Sequence, residues 1–222
     1  MSKNKLERFA ENKTFYNFFE PEYEMLKAND FLMKENWQRD FFKNNNPIVL
    51  ELGCGRGEYT IGLAEKHPDT NFIGMDRKGS RMWKGCKTSI EKQMKNVAFI
   101  RGQIQNIHNY FGKDEISEIW LTFPDPQIKR SKTNKRLTSP LFLDFYKEIL
   151  LPDGFVHLKT DNEQLFEYTL EVIDNFKYTI IDKKTDIHSM EQIDENLLIE
   201  TYYEKMWKEQ GAKIYYVKFQ LK

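Results

Sequence analysis

Ile48-Val49-Leu50-Glu51-Leu52 is a short apolar run that ends in Gly53-Cys54-Gly55-Arg56-Gly57 and is followed by a helix-forming stretch from Tyr59 to Lys66. An apolar strand that turns through glycines straight into a helix is one half of a strand–helix–strand unit, and few folds accommodate it. The alternation continues. Strands are expected at 71–76, 96–100, 118–123 and 154–159, with helices at Ser80–Lys95, Pro140–Leu150 and Glu163–Asn175 and a closing strand at Lys213–Phe219. Pro152-Asp153-Gly154 reads as the turn between the Pro140 helix and the strand that follows it. The pattern predicts an α/β fold with a doubly wound, mostly parallel sheet. Ligands of such sheets sit beyond the carboxyl ends of the strands. Glu51, Asp76, Gln103, Asp125 and Asp161 all fall at or just past such ends.

Composition narrows the class. With 40% hydrophobic and 31% charged residues over 222 positions, the chain can bury a core and is not a disordered polymer. No apolar run approaches the roughly 20 residues of a membrane helix, and the polar first residues carry no secretory signal. Cys54 and Cys86 make neither a disulfide framework nor a metal-ligand spacing, so a cytoplasmic protein without a metal is expected. His67, His108, His157 and His188 are scattered and read as structural or surface residues. Residues 1–45 read as a helical, aromatic-rich extension packed on a main domain of residues 46–222, with Asn44-Asn45-Asn46-Pro47 as the loop between them.

The formal net charge is zero, which argues mildly against a nucleic-acid partner. The distribution argues the other way. Lys129, Arg130, Lys132, Lys135 and Arg136 fall within eight residues that hold no acid. A neutral chain can still present one basic face.

Two constellations carry chemistry. The first is the glycine loop, where backbone can approach a ligand closely. The dinucleotide fingerprint would place Gly or Ala at position 58, but Glu58 stands there. The G-x-G-x-G spacing after Glu51 instead resembles S-adenosylmethionine-dependent methyltransferases with a Rossmann-like sheet, whose loop passes the amino-acid part of the cofactor. Asp76, some 20 residues on, suits ribose hydroxyls. The second constellation is Phe123-Pro124-Asp125-Pro126. Prolines fix the backbone and remove donors, so the loop presents Asp125 stiffly, directly before the basic run. That run can grip phosphates without reading sequence.

These motifs, with Asn134-Lys135-Arg136-Leu137-Thr138, Lys159-Thr160-Asp161-Asn162 and a late Thr201-Tyr202-Tyr203-Glu204, resemble the bacterial tRNA (guanine-N7)-methyltransferase family over about residues 46–222. The resemblance implies a class I S-adenosylmethionine-dependent fold and methylation of a guanosine in the variable loop of tRNA. By position it implies that Glu51, Gly53, Gly55, Gly57, Asp76 and Gln103 hold the cofactor, with Asp125 beside it as the catalytic carboxylate. Lys129, Asp161, Thr201, Tyr202, Tyr203 and Glu204 would contact the substrate, and Ser131, Lys132, Thr133, Asn134, Lys135 and Arg136 the RNA. The chain departs from the family pattern at Gln103, where an acid is usual, at Gln127 in place of a tryptophan, and at Lys132 in place of a histidine. A methyltransferase of small molecules or proteins, and a non-catalytic RNA-binding protein on the same fold, stand as alternative readings. Read alone, Asp161 also fits a helix N-cap and Glu204 an acidic surface stretch. The oligomeric state is not encoded in these motifs.

Overall fold

In a computed structural model of the chain, residues 5–189, 192–202, 204 and 211–222 are described. They fall into two units, Met1–Gly112 and Lys113–Lys222.

The first unit begins with α1 (Lys5–Asn12), a two-residue strand β1 (Phe18–Phe19), α2 (Tyr23–Lys27) and a π-helical turn at Trp37–Phe42. It continues with β2 (Ile48–Leu52), α3 (Glu58–Lys66), β3 (Asn71–Asp76), α4 (Gly79–Glu91) and β4 (Val97–Arg101), closing with a 3-10 turn at Ile104–Asn109. The strands are parallel and run in the order β1-β4-β3-β2. β2 and the first four residues of β4 are buried, as the unbroken apolar runs of a strand covered on both faces require. Both strands predicted around the glycine loop, 48–52 and 71–76, are found with those bounds.

The N-terminal segment is less purely helical than its sequence suggests. Phe18 and Phe19 pair with Phe99 and Ile100, adding an edge strand to β4. Asn17 pins this edge, since its carbonyl accepts the Phe99 N–H at 2.8 Å and its side chain donates to Ser89 Oγ at 2.7 Å. Two residues are too few to show a strand period. The aromatics of this segment form a packed cluster around Trp37, which is fully buried, meets Phe19 edge-on at 4.8 Å and donates its indole N–H to the Tyr110 carbonyl.

The second unit holds β5 (Ile116–Thr122), α5 (Pro140–Ile149), β6 (Leu150–Thr160), α6 (Glu163–Asn175), β7 (Thr179–Lys184) and β8 (Tyr215–Gln220). β5 and β6 are parallel, whereas β8 runs antiparallel to β6 and to β7, giving the order β5-β6-β8-β7. β6 starts earlier than expected. Ile116 pairs with Leu150 and Glu118 with Phe155, so Leu151–Gly154 is a bulge inside the strand rather than a turn before it. Gly154 is needed there, because a Cβ would stand 2.9 Å from the Ser117 carbonyl. β7 was not legible: it is an exposed edge with no buried face to impose alternation.

Candidate active site

The glycine loop joins β2 to α3 through three left-handed glycines, Gly53 (φ +79°), Gly55 (φ +56°) and Gly57 (φ +72°). Gly57 is fixed sterically as well, since a Cβ there would lie 2.5 Å from Phe99 Cε1. Gly53 is the opposite case. A Cβ there would meet nothing within 4 Å, so the loop faces open space on that side.

Two carboxylates brace this loop. Glu51 is 3% exposed, and its Oε2 accepts both the backbone N–H of Thr60, at 2.8 Å, and the Thr60 hydroxyl. It therefore satisfies an open donor in the first turn of α3. Asp76 accepts the Gly55 N–H at 3.0 Å and the Lys78 N–H at 2.8 Å, one on each oxygen. Half-buried at the end of β3, it keeps lone pairs for a ligand hydroxyl. Cys54 is buried beside them, and burial followed by the charges of Glu51 and Asp76 pushes its thiol up, so it is no nucleophile. Gln103 is exposed just after β4 and opens the 3-10 turn. Open space before a left-handed loop, with carboxylates at two strand ends, fits a ligand that carries an amino-acid moiety and a ribose.

In the second unit Phe123 and Gln127 both take left-handed backbone angles, φ +47° and +45°, on either side of Pro124-Asp125-Pro126. Such angles cost non-glycine residues of order 1–3 kcal/mol and persist only where the surroundings impose them. Asp125 Oδ1 accepts the Gln127 N–H at 3.0 Å, closing the loop on itself, and the residue is exposed. Arg136 backs the loop by donating to the Pro126 carbonyl at 3.1 Å, and it stacks 4.3 Å from the Tyr168 ring centroid. Of the expected RNA contacts, Ser131, Lys132, Asn134 and Lys135 are exposed on the 3-10 turn Arg130–Lys135, as is Lys129 just before it, and Thr133 is half-buried there. Arg136 is turned partly inward.

Asp161 is not the helix cap that its position allowed. Asn162 takes that role, its Oδ1 accepting the Leu165 N–H at 2.8 Å. The Asp161 carboxylate is half-buried beyond β6, and burial raises its pKa from the ordinary value.

Glu204 departs further from its sequence reading, because it is fully buried rather than part of a surface stretch. Its Oε2 accepts from Lys159 Nζ at 2.7 Å, and that ammonium also donates to the carbonyls of Leu197 at 2.7 Å and Ile199 at 3.1 Å. Burial pushes the Glu204 carboxyl up against the opposing pull of Lys159. Thr201 Oγ1 accepts the Glu204 N–H at 3.1 Å, and Tyr202 is 47% exposed. Tyr203, one of the expected substrate contacts, lies outside the described residues. Thr60 is a supporting residue that sequence reasoning missed, and Lys159 and Asn162 were quoted within a motif but given no role. A lysine on the same strand face as His157, among apolar neighbours, was the one available hint of a buried ammonium.

Among the described residues no group of three or more His, Cys, Asp or Glu side chains is poised to hold a metal, and no helix is long and apolar enough to cross a membrane.

The chain matches a family described as "Putative methyltransferase" over residues 45–217. It is 50% identical over 222 residues to the tRNA (guanine-N7)-methyltransferase of Christiangramia forsetii, covering 100% of this chain and 99% of that protein. Identity to the enzyme of the same name from Bacteroides thetaiotaomicron is 48%, over 100% of this chain and 87% of that protein. Among solved structures, the 16S rRNA methyltransferase KamB is similar over 82% of this chain and 91% of its own, with a TM-score of 0.64 and 12% identity. At that identity the likeness speaks for the fold alone, the Rossmann-like α/β arrangement expected from the sequence. Full-length identity of this order, together with the family match, leaves one conclusion: the chain belongs to the bacterial tRNA (guanine-N7)-methyltransferase family.

Proposed function

We propose that this chain transfers a methyl group from S-adenosylmethionine to N7 of a guanosine in tRNA, at the variable loop, with residues 46–222 as the catalytic domain and 1–45 as its extension. The observation that carries the reading is the Asp125 loop: an exposed carboxylate on a backbone held between two left-handed residues, directly before an exposed basic run.

S-adenosylmethionine supplies a methyl group already activated on a positively charged sulfur. The first unit holds it. Gly53, Gly55 and Gly57 leave backbone open to its amino-acid part, Glu51 and Asp76 offer carboxylates to its amine and ribose, and the Gln103 amide suits the adenine edge.

Guanine N7 is a lone-pair nucleophile, so no base is needed to take a proton first. The reaction asks for in-line positioning and for compensation of the positive charge that develops on the purine. Asp125 meets both needs by accepting the N1 and N2 hydrogens of the guanine edge. A stiff loop suits this task, since a carboxylate already in place costs no reorganisation at the moment of reaction. Lys129, Asp161, Thr201 and Tyr202 line the substrate side, with Glu204 shaping it from beneath, and the resemblance assigns Tyr203 to the same substrate. Ser131, Lys132, Thr133, Asn134 and Lys135 meet the RNA backbone, and Arg136 serves the same surface through the loop it supports. The protein acts in the cytoplasm.

The test is methyl transfer from labelled S-adenosylmethionine to unmodified tRNA transcripts, followed by nucleoside analysis. Label in 7-methylguanosine at the variable loop is the expected result. Transfer only to small molecules or proteins would overturn the substrate assignment, and absence of cofactor binding would leave an RNA-binding protein on a methyltransferase fold.

A further inference from the structure

We infer that Lys159 is a positioning residue for methyl transfer: a buried ammonium at the end of β6 that sets the shape of the substrate side from beneath. The inference rests on the substrate-face assignment proposed above. Lys159 is fully buried, and so is its partner Glu204. Its three N–H donors are directed to Glu204 Oε2 and to the carbonyls of Leu197 and Ile199, which ties the 197–204 segment to the end of the sheet. Its backbone carbonyl accepts the Phe123 N–H at 2.8 Å, and its ammonium lies 5.7 Å from the centroid of the Phe123 ring. Phe123 is the left-handed residue that opens the Asp125 loop. The next two residues of the chain lead to Asp161. One side chain and its own backbone thus touch both the residue that opens the Asp125 loop and the 197–204 stretch, on the strand that runs on to Asp161.

Stability alone is a poor account of this arrangement. Replacing a buried ion pair by apolar residues of similar volume is often neutral or stabilising. An apolar pair could fill the space, but it could not bind two carbonyls and dictate the path of residues 197–199. Glu204 Oε1 also faces His188 Nε2 at 3.7 Å, so the pair has a polar neighbour on its far side.

The experiment uses the full chain and the double variant Lys159→Met with Glu204→Leu, which leaves no charge buried. Its affinity for S-adenosylmethionine should stay close to the parent's, and its thermal midpoint should fall only modestly, since the Leu197 and Ile199 carbonyls lose a donor but no charge is left buried. Its kcat for tRNA methylation at saturating cofactor should fall at least tenfold, with a smaller change in KM, and amide exchange over 197–202 should accelerate. A folded double variant with kcat within twofold of the parent overturns the inference. A second measurement needs no variant. In the parent, the amides of residues 197–202 should exchange far more slowly than those of the exposed 129–132 stretch, and equal rates would overturn the inference by themselves. Asp125→Ala, assayed alongside, separates the two claims. Loss in Asp125→Ala with retention in the double variant overturns the role of Lys159 alone, whereas full activity in Asp125→Ala overturns the substrate-face assignment and this inference with it.

Discussion

The two units, proposed to hold the cofactor and the substrate, are held together in opposite ways. In the first unit the bracing contacts are carboxylate to backbone amide and span short stretches of chain: Glu51 reaches Thr60, nine residues on, and Asp76 reaches back 21 residues to Gly55. In the second unit a buried ammonium reaches 38 to 45 residues onward, to Leu197 and Glu204. The local arrangement is part of the strand–loop–helix unit itself, so damage to it should register as lost stability and lost cofactor affinity. The remote one shapes loops over a finished sheet, so damage to it should register in the rate.

The largest effect on the local side should come from Gly57→Ala. The new Cβ would stand 2.5 Å from the buried ring of Phe99 in a left-handed backbone. Overpacking and the left-handed penalty together predict a loss of at least about 2 kcal/mol in urea denaturation, with cofactor binding lost as well. Gly53→Ala sharpens the point. Its Cβ meets no protein atom within 4 Å, so stability should fall by only about 1–2 kcal/mol, while cofactor affinity, read by titration, falls by more than that because the methyl enters the open space. Equal behaviour of the two glycines would break the distinction.

Glu51→Ala comes next. It strips the Thr60 amide and hydroxyl of their acceptor inside the protein, and a loss of about 1–3 kcal/mol is expected from leaving buried donors unpaired. On the substrate side, Lys132→Ala with Lys135→Ala should leave stability unchanged, because both residues are exposed. Their effect should appear in tRNA affinity, and the slope of log affinity against log salt should become shallower by about 1.5. An unchanged slope would remove these lysines from the RNA interface.

The smallest effect concerns pH. His157 is buried against Trp120, with ring centroids 4.0 Å apart, its Nδ1 2.9 Å from the Tyr216 hydroxyl and its Nε2 3.1 Å from Glu118 Oε2. Lys218 and Asp194 are the other charged groups acting on it. Burial outweighs the attraction of Glu118 and lowers the imidazole below its ordinary value of 6.5. The unfolded chain therefore takes up a proton at a pH where the folded ring does not, and stability falls as pH drops below about 6.5, by up to about 1.4 kcal/mol per pH unit. Thermal midpoints of the parent and His157→Phe between pH 7.5 and 5 should diverge in slope, with the variant flatter. Methyl-transfer chemistry should not follow this change, since His157 lies within the sheet.

What the sequence made legible follows the same division. β2, β3 and α6 were placed with their observed bounds because apolar runs, glycines and helical periodicity act over a few residues. The glycine loop and its two carboxylates could be named for the same reason. Asp161 was ambiguous with the N-cap until the structure showed Asn162 in that role. Glu204, expected as a substrate contact and fitting a surface stretch when read alone, proved fully buried, because its partner lies 45 positions away and only the strand face shared with His157 hinted at a buried lysine. β1 and β7 escaped because one is two residues long and the other exposes both faces.

The most direct test of the account is the single-turnover rate of methyl transfer by Asp125→Asn, with cofactor and tRNA both saturating. The variant keeps the size of the side chain and an acceptor for the Gln127 N–H but removes the charge proposed to face the purine. A fall of about 10²-fold or more, the usual effect of losing a preorganised electrostatic partner, with cofactor affinity and thermal midpoint close to the parent's, is the predicted result. A rate within threefold of the parent's would contradict it and take the catalytic role away from Asp125.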